Sequence, residues 1–377
     1  MKSKLLVLSF LFSGLAFAQT YTFSTLVNFP NSSKQSAVNP WPPVVDAAGN
    51  IYGSSFYGGK FNSGSIFKVT PSGALSVLYS FGSTPNDGGL PQGALIRDAA
   101  GNLYGEAYEG GAKGFGIIFK VSPTGKETIL YSFTDESAVS AIPSLARDSS
   151  GNLYGYNAAA NNENGSVFKL APNGTYTTLY TFCSLANCAD GQKPVGGPIM
   201  KPDGKLYGVT AGGGTGSCPP VTSCGIVFQL DLNGNETVLH DFSAGGDGFV
   251  PSAHLTQDSA GNLYGVTAGG GLFLSGTIFK VDPSGRESIV YNFCPQINCP
   301  DGGGPSALLR DAAGDFFGIS LSAVFELTSS GTETVLHPSG PGGLGYGLAI
   351  DSKGNLYGTT WDGGPAHAGS VYKLTKH

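Results

Sequence analysis

The chain has 377 residues, 40% hydrophobic and only 12% charged, which supplies a large core and excludes a disordered polymer. Its formal charge is −6 and it carries no basic stripe, which excludes a nucleic-acid partner. Glycine (59) and proline (23) are abundant, yet they recur in register, so they mark turns rather than low complexity.

Residues Met1–Ala18 read as a signal peptide. Lys2 and Lys4 form the charged start, Leu5–Phe12 the apolar core and Ala16-Phe17-Ala18 the small-x-small cleavage site. That apolar run is too short to span a membrane, and no second one follows. The expected product is one exported domain over residues 19–377, without a membrane span or a cofactor, and monomeric.

Seven copies of a five-residue signature follow. Gly101-Asn102-Leu103-Tyr104-Gly105 is the type copy. The others are Gly49–Gly53, Gly151–Gly155, Gly204–Gly208, Gly261–Gly265, Gly314–Gly318 and Gly354–Gly358. Their first glycines stand 40 to 57 residues apart, a period that means a propeller, a solenoid or an array. Within the second repeat, Gly93–Asp98, Leu103–Tyr108, Phe115–Val121 and Glu127–Phe133 are short aromatic and β-branched runs between Gly, Pro, Asp and Asn. They predict four antiparallel strands, here called a, b, c and d. Asp46, Asp98, Asp148, Asp258, Asp311 and Asp351 each precede a turn glycine by three residues, and are read as caps of the a–b hairpins. The central lysine of strand c is expected in solvent, with the glutamate of strand d facing it. Arg97, Arg147 and Arg310 share one position on strand a and are expected to line the lower channel or pair with acids.

The seventh repeat stops at Leu374 without a strand d. A segment of that pattern, Phe23–Phe29, lies at the other end of the chain. An open array gains nothing from this displacement. A closed ring does, because the N-terminal strand completes the last blade and removes exposed edges. The sequence therefore predicts an all-β, seven-bladed β-propeller of four-stranded antiparallel blades, closed by the N-terminal strand in a 3+1 arrangement. A β-helix needs parallel rungs of much shorter period.

In that fold the d–a and b–c loops share the top face, and they are the long, variable ones. The six cysteines fall there in three close pairs, Cys183/Cys188, Cys218/Cys224 and Cys294/Cys299, which suggests local disulfides and an oxidising compartment. A zinc site is the rival, but no C-x2-C or nearby histidine supports it. Four d–a loops carry Asp-Gly, at Asp87, Asp190, Asp247 and Asp301. These carboxylates are subordinate candidates for calcium, with loop capping the stronger reading. Phe56, Tyr108 and Trp361 stand three residues past the second signature glycine in blades that are neighbours in a closed ring. Trp41 and Tyr57 lie in the same sector, beside Glu106, Glu109 and Asp362. Aromatics next to carboxylates equip a surface to stack sugars. The candidate ligand-binding residues are thus Trp41, Tyr57, Tyr108, Glu109, Trp361 and Asp362. No catalytic motif is present. His254, near the top of an innermost strand, is the one candidate general base.

The full pattern is G-N-L-Y-G-[TVS]-[TS]-x-x-G-G … G-x-[IV]-F-K-[VL]-x-P-x-G … E-T-x-L-Y-S-F. It resembles the GloVer tandem repeat of secreted bacterial proteins, over Tyr21 to Leu374. The Asp-x-x-Gly-Asn turn is also similar to NHL-type propellers. The GloVer resemblance implies a repeat fold and an exported location; it implies no reaction. The leading expectation is a non-catalytic propeller that binds an extracellular polysaccharide or surface protein through its top face. A propeller lyase or hydrolase acting on polysaccharide and a purely structural surface repeat are the alternatives.

Overall fold

The computed structural model describes residues 20–30, 37–134, 144–157, 164–218, 224–243, 246–340 and 342–377, with the side chains of all but 37 and 38. The expected signal peptide and residues 158–163 of the blade-three loop lie outside them.

Seven antiparallel sheets follow one another in the chain, and each is one predicted repeat. Blade 2 shows the plan, with strands Gly89–Arg97, Leu103–Glu109, Ile117–Val121 and Glu127–Ser132 running from the innermost outward. Blade 7 closes the ring. Its outer strand, Tyr21–Asn28, pairs with Ser370–Lys376 from Tyr21↔Lys376 to Asn28↔Ser370, with one bulge between Thr25 and Val27. The molecule is an all-β, seven-bladed propeller.

Each part of the signature has a physical job. The aspartate caps its turn: Asp98 Oδ1 accepts from Asn102 N at 2.8 Å, and Oδ2 accepts from Asn102 Nδ2 at 2.8 Å and from the Tyr104 hydroxyl at 3.0 Å. Partial burial works against this carboxylate, but those hydrogen bonds prevail and hold its pKa below the usual carboxylate range. The second glycine lies beneath an aromatic ring. A methyl at Gly155 would sit 2.6 Å from Phe168 Cζ and 2.9 Å from Leu145 Cδ2. That ring continues into the interface between blades. The strand-d phenylalanine of one blade meets the strand-c phenylalanine of the next edge-to-face, as in Phe81–Phe119, Phe182–Phe228 and Phe242–Phe279, all at 5.0 Å. Gly155→Ala should therefore cost about 1–3 kcal/mol by overpacking. The check is a lower urea midpoint with an unchanged m-value.

Two expectations need correction. Arg97, Arg147 and Arg310 are not among the described residues lining the axial cavity. Each guanidinium lies over the signature tyrosine of the preceding blade, at 5.4 Å from Tyr52, 5.5 Å from Tyr104 and 5.5 Å from Tyr264. They stitch blades together on the lower face, and Arg147 also acts electrostatically on Asp98. The strand-c lysine is not faced by the strand-d glutamate either. Glu127 stands opposite Val121, whereas Lys120 stands opposite Thr128. In blades 1 and 7 the lysine reaches over the signature tyrosine instead, 5.7 Å for both Lys68–Tyr52 and Lys373–Tyr357.

Candidate functional site

The top face of blades 7 and 1 carries five aromatic rings in mutual contact. The segment Ala37–Pro40 pairs with the end of strand b, Val38↔Tyr57 and Pro40↔Ser55, and the Trp41 amide then donates to the Ser54 carbonyl. This seats the Trp41 indole in the blade junction. Trp361 follows directly on strand b of blade 7, and the Asn39 side-chain amide donates to its carbonyl at 2.9 Å. The Trp41–Trp361 centroids are 5.4 Å apart, edge-on, and Tyr346 stacks on Trp41 at 5.5 Å and 29°. Phe56 bridges to both tryptophans at 6.5 Å and takes Tyr57 edge-on at 4.8 Å.

The candidates therefore separate. Trp41, Tyr57 and Trp361 are brought together with Phe56. Trp41 is only 5% exposed and its Nε1 has no hydrogen-bond partner, so it is the floor of the cluster and not a free platform. The exposed rings are Tyr57 at 43% and Tyr346 at 45%, with Trp361 half-buried between them. Tyr108 (52% exposed) and Glu109 stand one blade away, without a ring contact to the cluster. Asp362 is exposed beside Trp361, its Oδ2 3.9 Å from His367 Nδ1. Tyr346 was missed by the sequence reading. Its signal was present, since Tyr346 precedes the turn Asp351 by five residues, as Trp41 precedes Asp46.

Beside the cluster opens the central channel. A cavity of about 400 Å³ is lined from all seven blades. Most of the lining is apolar, including Pro42, Pro43, Leu95, Leu308 and Leu348, with Ser144, Ser252 and Ser306 as scattered hydroxyls. Tyr346 belongs to both the channel mouth and the aromatic cluster. His254 projects into the channel from the break between Phe249–Pro251 and Thr256–Gln257, deeper than the top-of-strand position the sequence suggested. The ring is open to channel water, and the surrounding channel walls still desolvate it in part. That desolvation lowers its pKa against an opposing hydrogen bond to the Gly196 backbone, so the imidazole is neutral at neutral pH.

The Asp-Gly carboxylates are occupied within their own loops. Asp87 accepts from the Tyr79 hydroxyl at 2.9 Å and from Ser83 N and Oγ at 2.8 Å each. Asp190 accepts from Tyr180 at 2.7 Å and Ser184 N at 2.8 Å. Asp301 accepts from Tyr291 and Cys294 N, each at 2.9 Å. Asp247 meets His240 Nε2 at 3.1 Å and Ser243 N at 3.2 Å. Wherever such an aspartate is present, strand d of the following blade begins with glutamate: Glu127, Glu236, Glu287 and Glu333. Where it is absent, that position holds Leu75, Tyr176 or Phe23. Burial first, and the neighbouring aspartate second, push Glu127, Glu236 and Glu333 up to about 7. Burial takes Glu287 to about 7 as well, with His240 opposing and Asp247 adding. The cysteines pair as neighbours, Cys183–Cys188, Cys218–Cys224 and Cys294–Cys299. Asp301 lies close to the last pair, but those sulfurs are bonded to each other and are not metal ligands.

One buried acid stands apart. Glu106, in strand b of blade 2, is 1% exposed, neither carboxyl oxygen has a partner, and burial raises its pKa to about 8. Gln92, directly opposite in the sheet, also has an unpartnered buried Oε1.

The family model of the Gloeobacter/Verrucomicrobia repeat matches residues 13–217 and 160–372. No curated protein matches the sequence. Among solved structures, a streptogramin B lyase has 14% identity and a TM-score of 0.64, over 95% of this chain and 98% of that one. Virginiamycin B lyase from Staphylococcus aureus has 13% identity and a TM-score of 0.62, over 95% and 99%. The extracellular domain of a one-component system from B. thetaiotaomicron has 11% identity and a TM-score of 0.56, over 93% of this chain and 39% of that one. At these identities the likeness is one of fold.

Proposed function

The chain belongs to the Gloeobacter/Verrucomicrobia repeat family, and we propose that it is an exported binding propeller whose ligand is a glycan held at the top face of blades 7 and 1. One observation carries this reading: five aromatic rings from two blades converge at the channel mouth, with Tyr57, Tyr346 and part of Trp361 open to solvent. Rings fixed by packing on Trp41 lose little entropy when a sugar stacks on them. Asp362 supplies a hydrogen-bond acceptor beside Trp361, and Tyr108 with Glu109 extends the surface for a longer polymer. Three disulfides and the charged, then apolar, first 18 residues support export.

Binding is favoured over polysaccharide cleavage. Glycoside chemistry uses a pair of carboxyl groups across the scissile bond. The described residues lining the channel offer one imidazole and no carboxylate. A merely structural repeat has no need of a ring cluster half open to water.

The test is retention on polysaccharide affinity gels. Tyr346→Ala with Trp361→Ala should lower affinity at least tenfold and leave the thermal midpoint within a few degrees. Trp41 is the wrong probe, because truncating a buried tryptophan costs about 3–5 kcal/mol and confounds binding with folding. Unchanged retention of the double variant on every gel that holds the wild type sinks the reading.

A further inference from the structure

The central channel has a lining chemistry unlike that of the aromatic lip. The residue four places before each turn aspartate faces the axis, and these positions hold Pro42, Ala94, Ser144, His254, Ala307 and Gly347. Blade 4 contributes Gly196, where an added Cβ would press on the backbone of His254. Every position but one is therefore small. Elsewhere the blades fill their interfaces with Phe, Leu, Ile and Tyr, so the open axis is local to this ring. A cavity of about 400 Å³ lies within the range of small-molecule sites. Water inside it meets a mostly apolar wall of prolines, alanines and leucines, with a few hydroxyls and the His254 ring as partners, and over the apolar stretches it is readily displaced by apolar surface. No charged side chain among the described lining residues offers a counter-ion, so an ionic ligand is disfavoured. Among the described lining residues the large polar groups are His254, within the channel, and the Tyr346 hydroxyl side chain at its mouth.

We propose that this channel is a second binding site, distinct from the lip, for a compact, neutral, apolar molecule whose one hydrogen-bonding group meets His254. The seven innermost strands form a rigid wall around the molecule, and Tyr346 stands at its entrance. The site shares only Tyr346 with the aromatic lip, and neither Trp361 nor Tyr57 lines it, so Trp361 separates the two readings.

Naphthalene probes test this on the purified full chain. Titration with 1-naphthol and with 1-methylnaphthalene, followed by fluorescence, should show saturable one-to-one binding with blue-shifted naphthol emission. Ala307→Phe and, separately, Ala94→Leu place bulk in the channel, and each should weaken both probes at least tenfold. Thermal denaturation identifies any variant that has not folded, and the other variant then decides. His254→Ala should weaken naphthol about tenfold and methylnaphthalene less than twofold. Trp361→Ala should leave both affinities unchanged. The proposal is overturned by non-saturable binding, by channel-filling variants that bind as wild type, by equal loss of both probes in His254→Ala, or by loss confined to Trp361→Ala.

Discussion

A chain beginning after residue 29 should fail to reach the native state, although it loses only one strand of an outer sheet edge. The strand Tyr21–Asn28 joins three blades at once. It pairs with Ser370–Lys376 of blade 7. Phe23 stacks on His337 of blade 6 at 3.7 Å and 7°. Phe29, fully buried, meets Phe67 of blade 1 edge-on at 5.2 Å. Losing a buried phenylalanine alone costs about 3–5 kcal/mol, and a whole domain is stable by only about 5–15 kcal/mol. The truncation also bares Ser370–Lys376 as an unpaired edge, which invites aggregation. The expected result is a shortened chain that elutes in aggregates and lacks a cooperative thermal transition. A synthetic peptide of residues 20–30, added in excess during refolding, should restore part of the soluble monomer. A truncated chain with the wild-type midpoint would show that the ring holds without its clasp.

That closing strand was legible because it is a displacement within a repeat, visible when one copy lacks a piece that appears elsewhere. The blade count, the hairpin caps and the neighbour disulfides were legible for the same reason: each is set by local spacing. The aromatic sector was legible in part. Seven-fold closure made blades 7 and 1 neighbours, so Trp41 and Trp361 had to approach. Which ring would be buried was not, because that depends on Pro40–Pro43 turning the indole into the junction. The arginines were misplaced because strand twist, which the sequence does not display, swings the end of strand a over the preceding tyrosine. The emptiness of the channel was hidden in plain composition, since a ring of Ala, Ser, Gly and Pro gives no signal until closure sets its members face to face.

Stability should be greatest near pH 5 and should fall as the pH rises to 8, against the habit of proteins stabilised by salt bridges. Glu127, Glu236, Glu287 and Glu333 are raised to about 7 in the folded state, and Glu106 to about 8. A group raised on folding gives its full contribution below its unfolded pKa and loses it as pH climbs through the folded value. The loss therefore runs from about pH 4.5 to 8. Two sets of groups oppose it. His254 and His337 are lowered by burial, so they cost stability as pH drops below about 6.5. The turn aspartates Asp46, Asp98, Asp148, Asp258 and Asp351 are held low despite burial by hydrogen bonds, and their contribution is lost only as pH falls below about 4. Glu326 is raised in the same direction, by burial first and Asp315 second, and six acids outweigh two imidazoles between pH 5 and 8. Each half-buried glutamate contributes about 1 kcal/mol after allowance for solvent screening. Glu106, fully enclosed and unpartnered, costs about 3 kcal/mol at pH 7. The thermal midpoint should thus drop by on the order of 10 °C from pH 5 to pH 8. Replacing the four strand-d glutamates by glutamine should flatten about half of that slope, Glu106 carrying much of the rest. Glu106→Val supplies the residue that blades 4 and 5 already carry there, as Val209 and Val266. It should raise the midpoint at pH 7 and raise it much less at pH 5, because the cost of keeping the folded acid neutral grows only as pH climbs above the unfolded value near 4.5. A wild-type midpoint that climbs from pH 5 to 8, or a Glu106→Val variant that is destabilised at pH 7, defeats the account.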